Sequence, residues 1–507
     1  MSDTTEAAVK RLRKDSPIVD AVCRQLERQV DPAEADRVVA FAEIFFSKAP
    51  PDLLHERSTD ALGHMALGAF RFLERSAHDR VDVEVLNPDV DNEGWYAPVT
   101  VIRTDVSERP FIVDTIREYL HSQELAIEHY VYPVLSVERG PDGRVLAVRP
   151  SREGARRESL VHCEVARVTD PETLESLRTE VAKRLQDVVR ATDDFHPMVD
   201  AANRVVAELA ETARDVPAKK RELEEIQAFL RWLRDGAFVF LGYRAYDIVD
   251  IDGRRHIVVE PGSGLGILRN EAESSYADPV AMDNLEPGLR ELVEGGPALI
   301  ISKSNAAATV HRSARMDYIG VKKLDAEGRV VGEHRFMGLF TSRAYAEEAE
   351  KIPILREKLE QILEAAGVAA GSHDFKEINT IFNSMPKEEL FLTSAEEIGA
   401  DVRTVLTTYH TNDVRVTLRE DPLHRGVSAM VILPKDRFSG EVRRSIELAL
   451  VDAVVAYFFG QLRYALHLDP VRIQNLVFGQ IRIGVFAPVV GIVHLHSELV
   501  AVAQARL

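Results

Sequence analysis

Apolar residues between Val81 and Asp194 switch between a period of two and a period near 3.6 in a fixed order, and that order constrains the fold more than any other feature of the chain. "APVTVIRTD" reads as a strand. "SERPFIVDTIREYLHSQ" reads as a helix beginning near Ser107, with Pro110 in its first turn and Ile112, Ile116 and Tyr119/Leu120 along one face. "AIEHYVYPVLSVERGPDGRV" alternates from Ile127 to Val137 and then turns at Gly140-Pro-Asp-Gly143, a hairpin signal. "SLVHCEVARV" is a further strand, after which Asp170-Pro171 caps a helix carrying Leu174, Leu177, Val181, Leu185 and Val188 on one side. Strand, helix, strand, strand, helix is the order of a ferredoxin-like α+β unit.

Other rhythms flank this one. Residues 1–78 read as helical: Asp31 caps, Pro32 opens, and Val38, Phe41, Ala42 and Phe45 share a face. The first ferredoxin-like unit is placed at 79–195, followed by a helical linker at 196–235. A sheet-rich unit at 236–370 has hairpins about Asp252-Gly253 and Glu327-Gly328 and a helix from Ile352 to about Ala366. Residues 371–410 read as a second helical linker, and 411–507 as a third unit with an atypical tail. The expected fold class is therefore α+β, with several βαββαβ units joined by helices.

Length and charge bound the function. A chain of 507 residues exceeds a single core, and 45% hydrophobic with 29% charged residues is an ordinary globular balance. Against 82 acidic residues stand 63 basic ones, and the resulting charge of −19 repels nucleic acid and anionic membrane, so neither is an expected partner. The N-terminus has no apolar signal segment, and Cys23 and Cys163 alone cannot build a disulfide framework; a cytoplasmic location is expected.

Motifs for catalysis are weak. Gly262, Gly264 and Gly266 in "EPGSGLGILRN" suggest a phosphate cradle, but the dinucleotide fingerprint needs its third glycine where Ile267 stands, and the dipeptide Gly-Lys is absent from the chain. A plain loop is expected. His494, His496 and Glu498 alternate on one strand and would make a poor tetrahedron, so no metal is expected. His162 adjoins Cys163, yet neighbours on a strand point to opposite faces, which leaves a buried structural thiol. In "VVGEHRFMGLFTS", Glu333 and Arg335 suggest a subunit contact, while Phe336, Leu339 and Phe340 read as core.

"RPFIVDTIREYLHSQELAIEHYVYPVLSVER", "FLRWLRDGAFVFLGYRAYDI", "DYIGVKKLDAEGRVVGEHRFMGLFTS", "IPILREKLEQILEAAG" and "VSAMVILPKDRFSGEVRRSI" resemble, in this order, the N-terminal region of the large bacterial NAD-specific glutamate dehydrogenases. The resemblance implies ACT-like regulatory domains with helical inserts, ahead of an oxidoreductase domain that uses NAD. It also implies a homo-oligomer or a catalytic-domain partner. ACT-like modules take amino acids where the first strand passes into the first helix, so Asp105, Ser107 and Arg109 are the candidate effector-binding residues. Arg109 is expected to be exposed. After about Gly479 the tail departs from the family, and no dinucleotide fingerprint appears. The expectation is a regulatory and assembly portion without catalytic residues or a cofactor of its own; a stand-alone amino-acid-sensing or scaffolding protein is the alternative.

Overall fold

The computed structural model describes residues 13, 16–77, 80–151, 156–285, 287–411, 413–420, 427–433, 437–446, 448–449, 481–486 and 491–497. It divides into two units, one of residues 1–194 with 307–314, the other of 195–306 with 315–507.

In the first unit, helices Pro17–Gln29, Pro32–Phe46, Pro51–Glu56 and Thr59–Arg75 form the N-terminal bundle. Asp31 caps the second as its sequence predicts, accepting from the Ala33 N–H at 2.9 Å. The sheet comprises β1 (Asp82–Leu86), β2 (Val99–Ser107), β3 (Ile127–Val131), β4 (Val134–Arg139), β5 (Val145–Pro150) and β6 (Arg157–Ala166). Its order is β1-β2-β6-β4-β5, with β3 also on β6, and every pairing is antiparallel. β3 and β4 lie end to end along β6, broken at Tyr132-Pro133. The ferredoxin-like arrangement is complete, but its fourth strand precedes the first: β1 fills the edge beside β2.

Pleating separates the two faces of this sheet. Val99, Val101, Val131, Leu135 and Leu160 pack with Phe41, Phe45, Phe70 and Leu73 of the bundle in one core. Ile102, Val106, Val161, Cys163 and Val165 are buried on the opposite face. That face belongs to helices Ile112–Ser122 and Pro171–Asp193, which contact one another and bury Ile116, Leu120, Leu177, Val181 and Leu185. At roughly 25 cal/mol per Å² of apolar surface, two buried faces on one sheet dominate the stability of this unit.

The second unit opens with the paired helices Phe195–Asp215 and Lys220–Trp232. Its main sheet contains β7 (Phe238–Ile251), β8 (Arg254–Val259), β9 (Leu265–Gly266), β10 (Val280–Ala281), β11 (Leu299–Ala307), β12 (Arg315–Leu324) and β13 (Val330–Phe340). The order β10-β8-β7-β13-β12-β11, with β9 on β7, is built on hairpins. Asp252 (φ 53°) and Gly253 (φ 77°) turn β7 into β8, the paired positive φ of the predicted tight turn. Helices Leu355–Ala366, His373–Ser384, Lys387–Leu392 and Ala395–Thr411 share a core with this sheet through Phe229, Phe340, Phe382 and Phe391. A last sheet runs β14-β15-β17-β16, from β14 (Arg415–Glu420), β15 (Val427–Leu433), β16 (Ile481–Phe486) and β17 (Gly491–Ser497). The further strands expected in "LRYALHLDPVRIQNLVFG" lie outside the described residues.

Candidate functional site

The strand-to-helix turn singled out in the sequence closes on protein groups. β2 ends at Ser107, and Phe111 adopts the left-handed conformation (φ 74°), so the helix begins at Ile112 instead of near Ser107. Such a backbone is uncommon for a bulky residue and is held by its surroundings. The Phe111 ring lies 5.0 Å from that of His311, on the segment that belongs to this unit.

Arg109 folds back across the turn. Its Nε donates to the Ser107 carbonyl at 3.0 Å and its Nη2 to the Ser107 hydroxyl. Its Nη1 donates to the Val189 carbonyl at 3.3 Å, the Thr192 hydroxyl at 3.1 Å and the Asp193 carboxylate at 2.8 Å. A cation at the C-terminal end of the Pro171–Asp193 helix satisfies free carbonyls and complements the helix dipole. Ser107 and Arg109 are therefore brought together, and both are engaged by the fold. The Arg109 side chain is only 15% exposed, which corrects the expectation of an exposed arginine. Proximity to a helix end was visible in the sequence; which helix it would clamp was not.

Asp105 has different partners. It is buried in the middle of β2, on the pleat that faces the bundle, with the Arg139 guanidinium 3.8 Å away. Arg139 bonds Glu158 through both Nε and Nη2, at 3.2 and 2.8 Å. Burial and the adjacent Glu158 push the Asp105 carboxyl well above the usual range. Its Oδ1 has no hydrogen-bond partner among the described residues.

Beside Asp105, the same sheet face carries a polar spine that sequence reasoning missed. Arg103 is fully buried, and donates to Glu84 at 3.1 Å and to both oxygens of Glu93 at 3.1 and 2.6 Å. Its Nε approaches His162 Nδ1 at 3.5 Å, and His162 Nε2 faces Glu164 at 3.5 Å. Glu164 also receives Arg57 and His129, each at 3.0 Å. Burial lowers the His162 imidazole, so the ring is neutral. Burial alone would raise the Glu164 carboxyl, but hydrogen bonds from His162 and His129 and the charge of Arg57 outweigh it and hold it at about 2. The signal was present: charged residues at alternate positions within the otherwise apolar strands "VTVIRTDVS" and "ESLVHCEVA". Buried ionic groups tolerate a low dielectric only through such partners, which this row supplies to Arg103, His162 and Glu164.

The remaining sequence candidates resolve physically. The glycine loop is a flap tied to β7: Gly264 N–H donates to the Glu271 carboxylate at 3.1 Å, and Ile267 N–H to the Leu241 carbonyl at 2.9 Å. Gly266 has φ 60°, and a Cβ there would overlap the Leu241 carbonyl oxygen. Those N–H groups are thus spent internally, as the plain-loop reading expects. Cys23 and Cys163 are buried, and burial pushes both thiols up to about 12, far from the reactive range. Phe336, Leu339 and Phe340 are core. Arg335 lies inside its own unit, its guanidinium 4.2 Å from the Tyr246 ring centroid and 5.0 Å from that of Tyr318. His494 and His496 occupy β17, in register with Met430 and Ser428 of β15, and Glu498 lies outside the described residues. Among the described residues no His, Cys, Asp or Glu cluster suits a metal, and no helix is long and apolar enough to cross a membrane.

Three family models match the chain in order: the glutamate dehydrogenase ACT1 domain over residues 41–181, helical motif 1 over 352–410 and the ACT2 domain over 415–465. The first spans the sheet just described. The chain is 31% identical over 439 residues to the NAD-specific glutamate dehydrogenase of Halomonas elongata, and 32% identical over 450 residues to that of Pseudomonas aeruginosa. Both alignments cover 86% of this chain and 27% of the relative. The Mycobacterium tuberculosis protein of the same name is 27% identical over 349 residues, which is 67% of this chain and 20% of that one. The chain thus spans about a quarter of the length of the curated relatives it matches.

Proposed function

Because this chain belongs to the NAD-specific glutamate dehydrogenase family, as the N-terminal region of it, we propose that it is the regulatory and assembly portion of an enzyme converting L-glutamate and NAD to 2-oxoglutarate, ammonia and NADH. The observation that carries this reading is the ordered match of two ACT domains and a helical motif, the first falling on a complete ferredoxin-like sheet. Neither phosphate-binding spacing occurs in its sequence, so hydride transfer is assigned to a catalytic region, in the same polypeptide or in a cytoplasmic partner, and NAD to that region.

An amino-acid effector at the strand-to-helix turn has to compete for Arg109. Its carboxylate would replace the Val189 carbonyl and Asp193 carboxylate as acceptors, releasing the end of the Pro171–Asp193 helix. In this reading Ser107 and Arg109 form a clamp that a carboxylate opens, while Asp105 faces the bundle side of the sheet beside Arg139.

The test uses the Pseudomonas aeruginosa enzyme. Its oligomeric state and the dependence of its rate on added amino acids are measured before and after removal of the matched N-terminal region; removal should change at least one, and a chimera carrying this chain in that place should restore it. A truncated enzyme that assembles and responds like the intact one overturns the reading. The 507-residue chain alone should yield no glutamate-dependent NADH fluorescence.

A further inference from the structure

A cleft of about 440 Å³ opens in the second unit, between the Phe195–Asp215 helix, the main sheet and the glycine flap. The helix contributes Asp200, Arg204 and Glu208, spaced four apart and so aligned on one face. The sheet contributes Tyr243 from β7, Lys323 from β12 and His334 from β13. The flap supplies Glu260 and Ser263.

A hydrogen-bonded chain fixes the polarity of its inner wall. His334 Nε2 lies 2.8 Å from Glu208 Oε2, and His334 Nδ1 lies 2.9 Å from the Tyr243 hydroxyl. The hydrogen bond from His334 holds the Glu208 carboxyl below its usual range, so it is an anion and can only accept. Nε2 therefore carries the hydrogen and donates to Glu208, while Nδ1 pairs with the Tyr243 hydroxyl. Burial pushes the phenol up, so the hydroxyl stays protonated. Ser263 Oγ is occupied by the Ala245 backbone at 3.1 Å. Lys323 is neutralised by Asp247 at 2.8 Å and by Glu260.

The inner wall therefore presents the carboxylates of Glu208 and Glu260 as acceptors, with the Tyr243 hydroxyl beside them. At the rim, Arg204 is exposed and makes no hydrogen bond or ion pair with any described residue. A ligand that matches this pattern carries a cationic donor at one end and an anion at the other. We propose that the cleft binds a small amino-carboxylic zwitterion, with its ammonium group at Tyr243, Glu208 and Glu260 and its carboxylate at Arg204. This deepens the regulatory reading above, on which its consequence for the enzyme rests, and it places a ligand outside the matched ACT segments.

The test is calorimetric titration of the 507-residue chain with each of the proteinogenic amino acids at millimolar concentration, followed by the amine and the carboxylic acid that each lack one of the two charged groups. At least one amino acid should bind, and both single-charge analogues should bind at least about tenfold more weakly. Arg204→Ala, at an exposed position, and Tyr243→Phe should each weaken binding by about tenfold or more with circular dichroism unchanged. Arg109→Ala should leave it unchanged. The proposal is overturned if no amino acid binds, if Arg204→Ala binds like the parent, or if Arg109→Ala rather than Arg204→Ala removes binding. A null titration removes the cleft and leaves the chimera experiment to decide the regulatory reading separately.

Discussion

Replacing Arg103 by methionine should unfold the first unit at markedly lower denaturant. Arg103 has the largest fully buried side chain among the described residues and supplies three hydrogen bonds to Glu84 and Glu93. Methionine fills part of the volume but leaves Glu93, 11% exposed, with its cation gone. Removing one partner of a buried pair costs about 3–5 kcal/mol, mostly as the penalty on the charge left behind. Glu84 retains Arg75 at 2.8 Å and is 26% exposed, so the lower end of that range, about 3 kcal/mol, applies. Gly68 makes the room for this pair: a Cβ there would meet Glu93 and Arg103, so this helix position is kept bare for them.

Fluorescence isolates the measurement, because the chain has two tryptophans, Trp95 in the first unit and Trp232 in the second. In a Trp232→Phe background, buried Trp95 reports only its own unit. With a slope of about 2 kcal/mol per molar urea, 3 kcal/mol moves the midpoint down by about 1.5 M. Arg103→Met with Glu93→Leu should recover much of the loss, since a buried pair replaced by apolar side chains is often neutral. A midpoint shift under about 0.5 M, or a double variant no more stable than the single one, refutes the argument that an uncompensated carboxylate is the cause.

Two further outcomes follow from the same unit. Arg109→Ala removes the clamp at the end of the Pro171–Asp193 helix and should cost about 2 kcal/mol, with faster amide exchange at Val189–Asp193 by hydrogen-exchange mass spectrometry; unchanged exchange there would show that the clamp is idle. For pH, the depressed Glu164 carboxyl contributes stability in full above its ordinary 4.5, and loses it as pH falls toward about 2. The lowered His162 imidazole acts in the same direction below 6.5, because only the unfolded ring gains a proton easily. Urea midpoints read from Trp95 should therefore fall on acidification, and the fall should be shallower in Glu164→Gln; parallel profiles would contradict the assignment.

Periodicity made the elements of the first unit legible, and it did so because one sheet with two covered faces imposes a strict pattern. Asp31, Asp170 and the hairpin glycines act within a few residues of where they stand, so local sequence suffices for them. Two features escaped for a common reason. The position of β1 beside β2, ahead of the strand it flanks, depends on a pairing that no local pattern encodes. The helix start at Ile112 depends on a left-handed Phe111 that a phenylalanine adopts only under tertiary constraint. Of the charges in the buried strands, local sequence singles out Asp105 alone, as an effector-binding residue, whereas the meaning of the row lies in partners as far as 107 positions away.

The Arg109 geometry changes what regulation at this turn would require. An effector meeting an idle arginine gains a charge-assisted hydrogen bond outright, whereas one meeting a clamped arginine gains only the difference between two acceptors. Asp193 is a carboxylate like the incoming one and is 52% exposed, so the electrostatic exchange is nearly even. What is not even is the release of the Val189 carbonyl and Thr192 hydroxyl, which loosens the last turn of the Pro171–Asp193 helix. Weak affinity and a local conformational effect are therefore linked: a ligand that opens the clamp must transmit part of its binding energy into the helix end. The cleft in the second unit shows the opposite design. Its Glu208 carboxylate is already held in place by His334, and its rim arginine makes no hydrogen bond or ion pair with a described residue, so a carboxylate arriving there displaces no bonded acceptor. Of the two, the pre-oriented cleft should hold an amino acid more tightly, and the clamped turn should respond more visibly to one.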